Sequence, residues 1–407
     1  MFLKRRRIAS MGIVIAVMFL LFTTILAQGN ETILTIAVQE WQQDVYGDEL
    51  FADFEAANPG VKVVVETMGQ DDNFYNSALF DMDGFMERGS NFASKADVLP
   101  ISSYQMSPEA TRAGFFLDMS PLLAGDATLD TADFYESMLQ SFQWDGGTWA
   151  LPVAGRVNIL IYDRNAFDEA NLAYPDESWG ISDFLDAGRA LTTYKDNGDV
   201  ERSALIGFDN RLLFRILLEQ SLYDNSVIPE VPALVNQDLA TLLETWKAYQ
   251  LEIFGESGPD FNTVDFNNMP LNISGVWQLD NNAFGNESDA DYAGTLLPGG
   301  VAGLDVEGFA ISAGTDQPML AYELIKYLTT NAEVVTRTFA DSPARRSMVG
   351  VESDEDNVFF GPERSEETQA LIDRALENAL PASELRYFDA VTSLASPGNN
   401  PENPRPD

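Results

Sequence analysis

At 407 residues the chain is long enough to bury more than one core, and its 45% hydrophobic and 11% aromatic content belongs to a folded protein. Cysteine and histidine are both absent, which removes disulfides, thiol nucleophiles, Cys- or His-ligated metals and the usual general base. A formal charge of −40 repels nucleic acid and anionic membrane and favours a soluble monomer.

Residues 1–29 read as an export signal. Lys4, Arg5, Arg6 and Arg7 form a basic start, Ile8 to Ala27 is almost wholly apolar, and Ala27-Gln28-Gly29 offers a small-residue cleavage site. About 20 apolar residues can also span a bilayer, so a tether through residues 8–27 stays open beside cleavage. No cysteine follows the run, which excludes a lipid anchor on an N-terminal cysteine.

Ile33 to Val38 is a short apolar strand leading into Gln39-Glu40-Trp41-Gln42-Gln43. Leu50, Phe51, Phe54 and Ala57 recur at helical spacing within 47–57, Asn58-Pro59-Gly60 ends that helix, and Val61 to Val65 is the next strand. Strand, helix, strand with short connections predicts a parallel βαβ unit. Ala96 to Leu99 is a third short strand.

Asp145-Gly146-Gly147 then marks a tight turn, followed by a strand ending at Pro152, a break with Gly155, and an apolar run from Val157 to Tyr162. A strand that stops at proline beside a glycine and resumes as a buried run predicts a chain crossing between two sheets. Further on, helices are predicted over 183–191, 211–222, 238–254, 318–328, 366–379 and 385–394, and strands over 204–207 and 271–277. The tail from Ser396 is rich in proline and asparagine and reads as disordered.

Several fragments occur in an order that resembles the extracellular solute-binding proteins of ABC-type sugar importers, the maltose-binding-protein-like group. They are Phe54–Val65, Ala96–Leu99, Phe116-Leu117-Asp118-Met119, Asp145–Trp179, Gly275-Val276-Trp277, Gly294–Pro298, Glu307–Ser312 and Ser342–Ser347. The resemblance implies an α/β fold of the two-lobed periplasmic-binding-protein kind (type II), each lobe a mostly parallel sheet flanked by helices, with a ligand cleft between. Lobe I would be 30–154 and 309–345, and lobe II 155–308 and 346–395, with 396–407 a disordered tail. It further implies an exported, periplasmic or extracellular protein that closes around a sugar or polyol and delivers it to membrane permease subunits. No catalysis, cofactor, metal or nucleic acid is expected. A secreted carbohydrate-active enzyme and a membrane-tethered sugar sensor are the alternatives.

Sugar sites combine aromatic platforms with planar polar groups that bond hydroxyls. On that ground and by the resemblance, the candidate ligand residues are Trp41 and Gln42 after the first strand, Tyr104 and Gln105 after the third, and Arg156 and Asn158 after the first crossing. Phe208 and Asn210 precede a helix, Trp277 and Gln278 follow a strand, and Gly308, Arg345 and Tyr387 complete the set. Each has a bland reading beside it. Trp41 could be a surface aromatic, Tyr104 and Gln105 an ordinary loop, and Asn210 a helix cap. Trp277 could be a half-buried core residue, Gly308 hinge backbone, and Tyr387 core packing. Arg156 could pair with a carboxylate across the hinge. With Arg345, if both faced the cleft, it would favour an anionic sugar.

Overall fold

The computed structural model describes residues 31–392 apart from 70–71, 73, 75–80, 206–209, 257, 259–268, 280–289, 339, 352–363 and 389–390. The export signal, the 204–207 strand beyond Leu205 and the tail therefore lie outside the described residues, as do Phe208 and Asp209.

The strands, in chain order, are β1 (Thr32–Gln39), β2 (Val61–Met68), β3 (Val98–Ser102), β4 (Gln143–Trp144), β5 (Gly147–Thr148), β6 (Leu151–Asp163) and β7 (Thr193–Tyr194). They continue as β8 (Val200–Arg202), β9 (Tyr223–Asp224), β10 (Val231–Pro232), β11 (Leu271–Gly275), β12 (Tyr292–Thr295), β13 (Gly303–Ile311) and β14 (Ser342–Pro343). One eight-stranded sheet has the order β11-β6-β13-β3-β1-β2, with β12 and β14 also paired to β6. Helices flank it, the longest being Gln237–Phe254.

The βαβ expectation is met: β1 and β2 run parallel in full register from Thr32–Val61 to Gln39–Met68, and Ile36 faces Val98 of β3. The connection is built differently from the prediction, as a 3-10 turn Asp48–Phe51 running into the helix Ala52–Ala57. Parallel pairing ends there. Every partner of β6 is antiparallel to it, including β11 and β12, so the second half departs from the mostly parallel arrangement expected for each lobe. The reason is topological: β6 leaves the first half and β13 returns to it, so the two run in opposite senses, and β11 enters beside β6 as a returning strand too.

The expected break at Pro152–Gly155 is absent, and β6 is continuous for 13 residues. The register between β6 and β13 shifts instead, from Gly308 opposite Pro152 to Glu307 opposite Ala154. A bulge of this kind spends one extra residue, Val153, to step past a proline that has no N–H to give the ladder. The tight turn stands as read: Asp145 (φ 53) and Gly146 (φ 76) join β4 to β5 in the left-handed conformation that two-residue hairpins need.

Two apolar cores result. One packs β1, β3 and the first part of β6 against Phe51, Phe85, Phe92, Phe116 and the helix Pro318–Leu328. The other gathers Leu160, Phe167, Phe184, Phe214, Trp246 and Tyr249 around the far part of β6. Along its far part the strand separates the two, with Ile159 and Ile161 in the first core and Leu160 and Tyr162 in the second. Helices observed at Ile181–Leu191, Asn210–Leu218 and Glu366–Glu377 match predicted ones within a few residues. Of the predicted helix 385–394, Phe388, Val391 and Thr392 are helical, following a 3-10 turn Ala382–Leu385.

Candidate binding site

Where the two cores meet, the β6–β13 pair has two unlike faces. One is sealed: Val153, Val157, Leu304 and Val306 are buried, and a Cβ on Gly155 would lie 2.8 Å from Met138 Cε on the helix Glu136–Gln140. The other carries Ala154, Arg156 and Asn158 opposite Glu307, Asp305 and Gly303. Directly opposed residues in an antiparallel pair share a face, so these charged and polar groups form one row. Arg156 is the only position of β6 that is not buried, and Asp305 and Glu307 are the only such positions of β13.

Charge pairing in this row is loose. Arg156 Nη2 lies 3.6 Å from Glu307 Oε1 and 4.0 Å from Asp305 Oδ2, both beyond hydrogen-bond length. Glu307 keeps 35% of its side chain open to solvent, yet it is packed at the crossing. Burial there pushes its carboxyl up to about 7, with Asp305 adding to the effect and Arg156 opposing it.

Trp277 and the helix Asn210–Leu218 wall the row on one side. In register, Asn158 stands between Gly275 of β11 and Gly303 of β13. A Cβ at Gly275 would meet Trp277 Cδ1 at 2.7 Å, and one at Gly303 would meet Leu212 Cδ2 at 2.3 Å. The indole therefore lies across one glycine and Leu212 across the other, and both glycines are required by that closeness. Trp277 remains 41% exposed in the 3-10 turn Val276–Leu279.

The opposite wall comes from the exits of β1 and β3. Ser103 donates its N–H to Val306 O at 2.8 Å and accepts from Val306 N at 3.0 Å, fixing the β3 exit to β13 beside Glu307. Tyr104 follows, and the Arg211 guanidinium sits 4.1 Å from its ring centroid. That cation–π contact joins a residue of the first half to one of the second. Trp41 leaves β1 in the 3-10 turn Glu40–Gln42 and is exposed, with Gln42 half-buried next to it.

The sequence-predicted residues are thus sorted. Arg156 and Asn158 share one face of the β6–β13 pair with Trp277 over Gly275 beside them, Tyr104 meets Arg211 of the helix Asn210–Leu218, and Trp41 stands exposed after β1. Others are engaged by the protein itself. Gln105 Oε1 accepts from Ser102 N at 3.0 Å, closing its own loop. Buried Gln278 accepts from Asn272 Nδ2 at 3.1 Å. Arg345 is buried away from the row, donating to Asp133 Oδ2 at 2.8 Å and lying over Phe134. Gly308 is backbone at the bulge, where a Cβ would meet Leu151 O at 2.4 Å.

Tyr387 has a left-handed φ of 69 and belongs to a second cluster at the rim. Burial raises its phenol pKa, and Glu109 adds to this while Arg112 opposes it. In that cluster Arg112 forks onto Asp145 at 2.8 and 3.1 Å, and Glu230 N donates to Asp145 Oδ1 at 2.6 Å. Arg386 pairs with Glu230 at 2.7 Å and lies between the rings of Tyr223 and Trp144, at 4.0 and 5.5 Å.

Asp305 and Glu307 escaped the sequence reading. Their signal was present: two acids at i and i+2 on a strand otherwise apolar, ending in a glycine. No grouping of acidic side chains suited to hold a metal ion occurs among the described residues. Nor is any helix there long and apolar enough to cross a membrane.

A crevice at the crossing of two α/β halves, floored by polar groups and walled by aromatic rings, defines a solute-binding protein of the two-lobed kind. Residues 39–335 match the family of bacterial extracellular solute-binding proteins, and the chain belongs to it. No curated protein matches the sequence. Among solved structures, the fold is similar to that of an ABC substrate-binding protein from Listeria monocytogenes in complex with cycloalternan (14% identity, 90% of this chain and 95% of that one, TM-score 0.56). It is also similar to an extracellular solute-binding protein from Staphylococcus aureus in complex with maltose (16%, 92% and 95%, TM-score 0.54). A third is the sugar-binding protein MalE of Xanthomonas citri (18%, 89% and 90%, TM-score 0.57).

Proposed function

We propose that this chain is the substrate-binding component of an ABC importer, taking a sugar or polyol into the crevice and presenting the closed form to a membrane permease. It would act as an exported monomer whose lobes are 30–154 with 309–345 and 155–308 with 346–395. The single observation that carries the reading is the polar row Arg156, Asn158, Asp305 and Glu307 beneath the exposed indole of Trp277. A sugar offers an apolar ring face and a rim of hydroxyls, which is the complement of such a floor and wall. The solved relatives named with cycloalternan or maltose support that ligand class.

The mechanism is closure by differential contact. A ligand touching both Trp277 and the β3 exit gains contacts only when the halves approach, and so shifts the population toward the closed state. Small-angle scattering and melting curves across a saccharide and polyol panel test this. Compaction with a raised Tm, and no product formed from the same sugar, is expected. Product release from oligosaccharides would favour an enzyme instead.

A further inference from the structure

We propose that Arg112 and Asp145 form a catch that holds the two halves together before any ligand arrives, with the backbone of Glu230 as the piece they grip. The inference rests on the two-lobed reading above and not on which solute the crevice takes.

The three residues come from different bodies of the molecule. Arg112 ends the helix Pro108–Arg112, and Asp145 stands in the β4–β5 turn beside Trp144, a member of the first core. Glu230 lies between β9 and β10, a hairpin that leaves the second core at Leu222. Across this junction, side chains of the first half take both backbone groups of Glu230. Its N–H donates to Asp145 Oδ1 at 2.6 Å, and its carbonyl accepts from Arg112 Nη2 at 2.8 Å. The fork between Arg112 and Asp145 orients both groups at once, since a bidentate arginine–carboxylate pair fixes direction as well as charge. The Glu230 side chain turns the other way, to Arg386 of its own half at 2.7 Å. The grip therefore reads where the backbone of the hairpin lies.

Two observations make this a catch and not plain packing. First, the joined state is incompletely satisfied. Trp144 of the first half lies 5.5 Å from the Arg386 guanidinium, whose Nε and Nη1 are buried with no hydrogen-bond partner among the described residues. Tyr387, next to it, holds a left-handed φ of 69. When the halves part, water reaches those nitrogens, so the unmet donors oppose the joined state and keep it reversible. Second, the halves repel each other. Acids outnumber lysine and arginine in both, within a chain of formal charge −40, and like charge on two bodies favours their separation. The arginine–carboxylate grip offsets that repulsion at the one junction where it is formed.

The same arrangement brings the Arg211 guanidinium to 4.1 Å from the Tyr104 ring across the crevice. The caught state is thus the one in which the crevice walls approach. Apparent affinity then depends on the fraction of free molecules already caught, because the apparent Kd is the intrinsic one divided by that fraction.

Small-angle scattering of the ligand-free exported protein tests the catch. Wild type is compared with Arg112→Ala, Asp145→Asn and a control, Arg189→Ala, which breaks a pair with Glu252 inside the second half. Melting curves establish that each variant is folded. Both catch variants are expected to show a larger radius of gyration than wild type, more so at low salt, and the control is expected to match wild type. Maltose, as the probe in calorimetric titration, should bind Arg112→Ala about 3- to 10-fold more weakly than wild type. An unchanged radius in both folded catch variants would overturn the inference, as would tighter maltose binding by Arg112→Ala. If the radius rises as expected but no saccharide binds the wild-type chain, the catch stands and the sugar-binding reading falls.

Discussion

Among the described residues, two ionic clusters lie between the halves, one on the β6–β13 row and one around Arg386, and their carboxylates are engaged differently. Around Arg386 the carboxylates are engaged by protein: Arg112 forks onto Asp145, Asp145 accepts from Glu230 N, and Glu230 pairs with Arg386 near two aromatic rings, while Arg386 Nε and Nη1 stay buried without a hydrogen-bond partner among the described residues. Glu384 is similarly held by Arg215, Ser221 and Tyr223. On the β6–β13 row, neither Glu307 nor Asp305 accepts a hydrogen bond among the described residues, and Arg156 lies 3.6 and 4.0 Å from them. In each place the same residue types are used, so how the carboxylates are engaged separates the clusters better than charge does.

Breaking the rim should produce the largest effect on stability. Arg386 and Glu230 keep only 9% and 11% of their side chains exposed, and removing one partner of a buried pair costs about 3–5 kcal/mol. Arg386→Ala is therefore expected to lower the urea midpoint steeply, while Arg386→Lys, which cannot stack between Trp144 and Tyr223, should fall in between. If Arg386→Ala melted like wild type, the rim would not be a structural clasp.

Next in size comes the bulge that shapes the floor. Gly308→Ala would drive a Cβ to 2.4 Å from Leu151 O, a backbone atom that cannot rotate aside. A loss of about 1–3 kcal/mol is expected, as for other overpacked sites, together with weaker ligand binding as Glu307 is displaced. Trp277→Ala sharpens the contrast from the other side. The indole is 41% exposed, so stability should change little, whereas stacking of about 0.5–1.5 kcal/mol is lost from binding, up to about a tenfold rise in Kd.

The floor and rim were unequally legible in the sequence. Trp277, Arg156 and Asn158 were expected at the cleft through the family resemblance of the strands that carry them, and they lie together at the β6–β13 row. Asp305 and Glu307 were hidden inside what read as plain hinge strand, since which face of β13 stays open depends on its pairing with β6, which no local pattern announces. The rim was invisible for a different reason: Arg112, Asp145, Glu230 and Arg386 are scattered along the chain and meet only through tertiary packing. Gln105 and Arg345 show the converse. Their residue types suited a sugar site, but a nearby backbone N–H of Ser102 and the Asp133 carboxylate engage them first. Pro152 predicted a break, yet a one-residue bulge at Val153 carries the strand past it.

The two clusters should also respond to pH with opposite signs, and this is the smallest but most discriminating effect. Glu307 has its carboxyl raised from the ordinary carboxylate range to about 7, chiefly by burial, so the folded state favours its protonated form. Its contribution to stability is greatest below the ordinary carboxylate range, declines as pH rises through about 7, and is level above that. Asp145 behaves in reverse. Burial opposes ionisation there, but the Arg112 fork and the Glu230 N–H prevail and hold its carboxyl below its usual value. Its contribution is full above that value and is lost as the solution is acidified. Melting curves from pH 3 to pH 8 should therefore show Asp145→Asn flattening only the acid limb. Glu307→Gln should flatten only the decline toward neutrality, and make the chain slightly more stable than wild type at pH 8. If both substitutions altered the same limb, the two clusters would be one electrostatic unit, and the division between a clasp at the rim and a receptor at the floor would fail.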